Sequence, residues 1–179
     1  MAIPLVRAGA FNLERSGVAV AYVMAAIGLN LAFGYAGELV IGHSAIMAVG
    51  AYAAGIMSAQ FGLAAAAAIP LAIAAGVLFG LLTMLPGLRV QGWYLALITM
   101  FAVLVVPHVV ELGETWTGGE YGLTGITAIE IFGFRFGDVA AYEFIVVATA
   151  AIWIITINFV RSGWGYRLPS LRDARLGAE

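Results

Sequence analysis

Residues 39 to 88 contain no Asp, Glu, Lys or Arg. As a single helix that run would be on the order of 75 Å long, against a hydrocarbon core of roughly 30 Å. It is too long for one membrane crossing and long enough for two with a tight turn between them. Gln60, Phe61 and Gly62 supply the turn, and Pro86 and Gly87 end the second helix. A water-soluble fold has no use for such a stretch, so the solvent for most of this chain is lipid. The sequence is 63% hydrophobic and 10% charged, with a mean hydropathy of +1.03, whereas soluble domains carry about 25% charged residues.

Three further charge-free windows are each close to the length of one crossing. Residues 16–37 lie between Arg15 and Glu38, 90–110 between Arg89 and Glu111, and 144–160 between Glu143 and Arg161. Spans are therefore expected at about 17–36, 42–60, 63–85, 92–112 and 139–160, with an outer loop at 113–138 and a membrane domain covering 1–160. The fold class is all-α and polytopic, because a lipid-exposed backbone must satisfy its own hydrogen bonds. A β-barrel would need alternating apolar and polar residues, and these runs do not alternate. A broken or re-entrant segment is expected near 34–43, where Gly34, Gly37 and Gly42 interrupt the apolar run.

Orientation follows from Arg placement. Arg161, Arg167, Arg172 and Arg175 cluster after the last span, which makes 161–179 cytoplasmic. Counting back puts Arg89 inside and Glu111, Glu114, Glu120, Glu130 and Asp138 outside. The N-terminus, with Arg7 and Arg15, then falls outside.

Several function classes drop out. The net charge of −2 gives no basic footprint for nucleic acid. With no Cys there is no disulfide, thiolate chemistry or Cys-based metal site, and neither a metal nor a cofactor is expected. The first 17 residues lack a basic start, an apolar core and a small-residue cleavage site, so they are not a removable signal. An enzyme is not expected: the two His include His43 beside Ser44, but adjacency is not a catalytic arrangement. Nothing advertises the ring of charges or carbonyls that a channel needs.

The most distinctive stretch is GLNLAFGYAGELVIGHSAIMAVGAYAAG at 28–55. Its glycines permit close helix approach or breaks. Asn30, Glu38 and His43 are polar groups at or just inside a membrane boundary, where such groups face protein or water. An interfacial loop accounts for Glu38 and His43 as well as a transport role does.

This stretch closely resembles the permease subunits of ABC importers for branched-chain amino acids, whose pattern reads approximately LNL-x-x-GYAGQ-x-SLGHAAF-x-x-GAY. Leu29-Asn30-Leu31, Gly34-Tyr35-Ala36-Gly37, Gly42-His43 and Gly50-Ala51-Tyr52 match it. Glu38 stands where the family has Gln, and Val40-Ile41 where it has Ser-Leu. Leu88-Arg89-Val90-Gln91-Gly92-Trp93-Tyr94-Leu95-Ala96 resembles the family's LR-x-x-G-x-YLA. The run from Thr117, Gly118 and Gly119 to Ile126 resembles its TGG-x-x-GL-x-GI outer loop. That loop has no Lys and no strand-to-helix context, so it is not a nucleotide site.

The tail resembles the family's cytoplasmic coupling helix through Ser162, Gly165, Leu168, Leu171-Arg172-Asp173 and Ala178-Glu179. Pro169 confines any such helix to beginning near it, since Pro is tolerated only in a first turn.

The resemblance implies ABC ATPase subunits, a second permease subunit and an external substrate-binding protein as partners, with lipid around them. It assigns ATPase coupling to Gly165, Leu171, Arg172 and Asp173, and a translocation or structural role to Asn30, Gly37, Glu38, Gly42 and His43. Leucine, isoleucine or valine is the implied cargo. Related members carry urea or short amides, and a channel or a non-transporting scaffold is the alternative of another class. The family continues past the coupling helix with further spans. The chain is therefore expected to be a fragment truncated in that region, or else a half-subunit completed by another polypeptide.

Overall fold

The computed structural model describes residues 10–86, 93–126, 130–131, 134–135 and 137–169. The elements are α1 (Ala10–Asn30) continuing into a π turn (Leu31–Tyr35), α2 (His43–Ala59), α3 (Ala65–Met84), α4 (Trp93–Leu112), α5 (Glu114–Thr117), a 3-10 turn (Gly119–Tyr121), strands β1 (Glu130–Ile131) and β2 (Phe134–Arg135), and α6 (Asp138–Arg161). The expected all-α polytopic fold is found. Four stretches are long and apolar enough to cross a membrane, namely Arg15–Tyr35, Ala67–Met84, Trp93–Leu112 and Asp138–Arg161, and His43–Ala59 is a shorter apolar helix. The sole departure from all-α among the described residues is a small antiparallel ladder pairing Glu130 with Arg135 and Ile131 with Phe134.

The chain divides into two compact units, residues 1–38 with 136–179, and residues 39–135. In the first, α1 and α6 run parallel. Leu13 and Gly17 of α1 share a cavity with Asp138 and Tyr142 at the start of α6. Ile27 and Tyr35 share another with Trp153 and Arg161 at its end. Helix α6 carries Asp138 in its first turn and Arg161 in its last, the arrangement that complements the helix dipole.

In the second unit, α2 and α3 are antiparallel and close. Gly76 and Gly80, one turn apart on α3, face Ile46, and Gly50 faces the Ala72 carbonyl. Small residues at this spacing let helix backbones approach in lipid, where burial of apolar surface gives no drive to associate. Helix α4 runs parallel to α2: its start meets Gly42, and just beyond its end Trp116 stacks on Phe61, with ring centroids 6.2 Å apart.

The side chains fit a lipid solvent. Leu81, Ile73, Phe101 and Ile155 are all largely exposed. Buried side chains gather where helices meet, at Val40, Ala45, Leu95, Ala96 and Thr99 in the second unit. Hydroxyls within the helices donate to their own backbone, Thr149 to the Ile145 carbonyl and Thr156 to the Ile152 carbonyl, so no partner from water is needed. Helix α1 begins at Ala10, earlier than the expected 17. Charged groups near a helix end are tolerated because they reach the interface.

Candidate functional site

The expected break lies between α1 and α2. The chain leaves the α-helix through the π turn, with the Ala36 N–H donating to the Leu31 carbonyl at 3.2 Å. Single π turns occur frequently at functional sites. The Asn30 side chain lies along this turn, and a Cβ at Gly34 would overlap its amide oxygen. Gly37 then adopts φ +70°, a left-handed conformation that glycine takes without steric cost. Over it, the Glu38 N–H reaches back to the Ala32 carbonyl at 3.0 Å. This is a Schellman-type closure widened by the π turn. Glu38 is half-buried.

On the other side of the break, helix α2 has 17 residues and rises only about 25 Å, short of a hydrocarbon core of about 30 Å. Non-helical backbone beside so short a span needs protein partners for its polar groups wherever lipid surrounds it. Thr99 supplies one. Its Oγ1 accepts the Ile41 N–H at 3.1 Å and donates to the Ala96 carbonyl at 3.0 Å. Thr99 is 1% exposed.

Gly42 is buried and sits directly on Thr99: an added Cβ would lie 2.6 Å from the Thr99 carbonyl oxygen. The Gly42 carbonyl accepts the Ala45 N–H and opens α2, with His43 half-buried as its first residue. Gly42 is thus a close-approach glycine, whereas Gly37 is a conformational one.

The loop after α4 is organised by one hydroxyl. Thr117 Oγ1 is 2.6 Å from the Val110 carbonyl and 3.0 Å from that of Gly113, and it accepts the Gly119 N–H at 3.2 Å. Gly118 has φ +74°, and a Cβ there would run into the Gly122 carbonyl. Thr117, Gly118 and Gly119 are therefore brought together as a folded knot. Glu111, Glu114 and Glu120 line a cavity of about 330 Å³ beside it.

At the tail, the chain folds back after α6. Ser162 Oγ donates to the Phe159 carbonyl at 2.6 Å, and Gly165 is buried against the Val160 backbone, which a Cβ would overlap. Helical backbone resumes at 167–169, so Pro169 sits in a first turn, where it is tolerated. Leu171, Arg172 and Asp173 lie outside the described residues.

Thr99 is the residue that sequence reasoning missed. Its one signal is an aliphatic hydroxyl in the apolar run 95–107; its partner Ile41 is 58 positions away.

Residues 13–179 match the family model described as branched-chain amino acid transport system / permease component. The chain is 31% identical over 131 residues to the high-affinity branched-chain amino acid transport system permease protein LivM of Salmonella typhimurium, covering 70% of this chain and 31% of that protein. It is 31% identical over 119 residues to the protein of the same name from Escherichia coli, covering 66% of this chain and 28% of that protein. The chain thus spans about 30% of the length of the curated relatives it matches. No solved structure matches it. This is a multi-pass inner-membrane protein and not an enzyme: the chain belongs to the family of permease components of branched-chain amino acid transport systems.

Proposed function

We propose that this chain acts within the permease subunit of an ATP-driven ABC importer that moves branched-chain amino acids inward across the cytoplasmic membrane. The family match over residues 13–179 carries the reading, and both LivM relatives are named as branched-chain amino acid permeases. Two permease subunits enclose the path, two ATPase subunits drive alternation between its inward-open and outward-open forms, and an external binding protein delivers substrate.

On this reading the break has a mechanical role. A helix interrupted at 36–42, with one side closed over Gly37 and the other held on Thr99, offers unwound backbone at the membrane boundary. Such backbone is tolerated there where protein covers it or where it lines a cavity. Glu38 belongs to this segment, and Asn30 and His43 flank it in the sequence. The outer Thr117-Gly118-Gly119 knot and its acidic neighbours face the binding protein, while Gly165 and the residues after it face the ATPase.

The test is uptake of labelled leucine, isoleucine, valine and urea by proteoliposomes holding the complete complex. ATP-dependent uptake of a branched-chain amino acid is expected. Flux without ATP identifies a channel, and uptake of urea alone moves the substrate to the amides. Asp173→Arg in the same complex is expected to abolish uptake while leaving the subunit in the membrane. Undiminished substrate-stimulated ATPase activity would remove Asp173 from the coupling contact.

A further inference from the structure

Leu123, in the loop after α4, reaches across to α2. Its Cδ1 lies 2.8 Å and its Cγ 4.0 Å from the place where a Cβ at Gly55 would stand, and Gly55 is buried. The side chain that Gly55 lacks leaves a notch, and a Leu123 methyl fills it. We propose that residues 122–125 are a latch. Leu123 is its tooth: seated at Gly55, it holds the C-terminal end of α2 to the Thr117 knot on α4, and it unseats when α2 turns about its other end at Gly42 and Thr99. That this turning belongs to a transport cycle rests on the proposed transport function.

The tooth stands on a short arm with a glycine at each end. Leu123 and Thr124 lie between Gly122 at φ +71° and Gly125 at φ +80°. Nothing lies within 4 Å of a Cβ at either glycine, so neither is there to admit a neighbour, as Gly42 and Gly55 are. What they supply is a backbone conformation that other residues avoid. Gly122, with ψ 176°, occupies a region that is essentially glycine's alone. Hinges are built from a few such positions at the ends of the part that moves.

The knot that carries the arm is fastened to α4. Thr117 Oγ1 bonds the Val110 and Gly113 carbonyls and the Gly119 N–H. Unseating Leu123 breaks none of these bonds, so the latch opens without unfolding the knot. The knot's aromatic contact with the end of α2 is the stack of Trp116 on Phe61. The two rings are 53% and 57% exposed, and contacts so open to their surroundings belong to the low-stability end of a structure.

The two ends of α2 are therefore held by different means. At its start, Gly42 brings backbone against the Thr99 carbonyl, and the Ile41 N–H bonds the buried Thr99 hydroxyl. Separation there strands a backbone N–H, which is costly. At its far end, Leu123 and Trp116 engage through side chains, which withdraw without leaving a backbone group unpaired. The first contact is the pivot, and the second lies at the end that swings. With 17 residues, α2 is a lever of about 25 Å, so a small rotation at the pivot clears the tooth from its notch.

The chain has no Cys, so Gly55→Cys with Leu123→Cys creates one pair of thiols, and replacing Leu123 removes the methyl that would obstruct the new Cβ. In the full chain in phospholipid vesicles, mild oxidation should close an intramolecular disulfide. Gly122→Ala should slow that closure about tenfold by straining the seated arm, whereas Leu112→Ala, on a side chain 88% exposed, should not. With the pair reduced, a bulky maleimide reads release. Labelling should be slower than at Thr124→Cys, an exposed position, and Trp116→Ala should speed it about tenfold by removing the stack. In the complete complex, oxidation should arrest uptake and reduction should restore it. A complex that takes up nothing even when reduced counts against the transport function, and the disulfide and the maleimide still decide the latch. No disulfide, or one whose closure ignores Gly122→Ala, overturns the seat. A reduced pair that never labels, or uptake that continues after full oxidation, overturns the release.

Discussion

The α2–α3 pair and the α1–α6 pair are both made of apolar helices, yet they close differently. On α3, Gly76 and Gly80 form one small face that takes Ile46 of α2, and Gly50 of α2 faces the α3 backbone in return. The α1–α6 pair has Gly17 against Ile145 at 3.8 Å, a distance like the 3.5 to 3.9 Å at Gly80, Gly50 and Gly76, but these two helices leave cavities of about 440 Å³ and 250 Å³ along their seam. Hydropathy does not separate the two cases. In lipid, hydrocarbon is as good a neighbour as another helix, so tight contact is made where small residues align.

Within residues 39–135 the contacts should then be limited by backbone approach, and the largest loss is expected at Gly42. Gly42→Ala places a methyl 2.6 Å from a backbone carbonyl oxygen, and α2 must move off α4. A destabilisation of about 3 kcal/mol, the upper end for overpacking, is expected in a detergent unfolding titration. A wild-type midpoint would show that this contact is loose.

Thr99→Val comes next. It keeps the shape and removes the hydroxyl, leaving the Ile41 N–H without its acceptor, at a cost of about 2 kcal/mol. Thr99→Ser should recover most of that loss in the same titration. If Val and Ser behave alike, the hydroxyl is irrelevant and packing alone holds the break.

Gly80→Leu sharpens the comparison between pairs. It should cost about 1–2 kcal/mol by forcing α2 and α3 apart, whereas Leu78→Ile, on a side chain 61% exposed, should stay within about 0.5 kcal/mol. Equal folded yields for the two would mean that Gly80 does not set the spacing. The smallest effect is expected at Gly17. Gly17→Ala adds a methyl at ordinary contact distance in a seam with room to spare, and thermal retention of monodisperse protein should be unchanged within about 0.5 kcal/mol. A large loss there would erase the distinction between the two pairs.

Much of the fold was legible because lipid makes charge placement decisive. Arg15, Glu38, Arg89, Glu111, Glu143 and Arg161 bracket the apolar segments, since a charge cannot sit mid-span without a partner. The break was legible in Gly37 and Gly42, although the sequence does not distinguish their roles. Gly37 is needed for a positive φ and Gly42 for proximity to a residue far along the chain. Thr99 was illegible for the same reason: a lone Thr in an apolar helix usually bonds its own backbone, as Thr149 and Thr156 do. The second bond it makes, to Ile41, exists only once α2 and α4 are side by side. The Thr117–Gly119 knot was visible as a motif, but that the Thr117 hydroxyl gathers it depends on distances no spacing reveals.

In the proposed topology the chain crosses the membrane with its Gly37–Gly42 break and Arg-rich tail on the cytoplasmic side and its acidic loop outside. The absence of Cys makes this directly measurable. Single Cys residues placed at Glu120 and at Arg172 are exposed in intact cells to a membrane-impermeant maleimide. Labelling is expected at Glu120→Cys, with none at Arg172→Cys until the cells are permeabilised. Labelling at Arg172→Cys with protection at Glu120→Cys would contradict it.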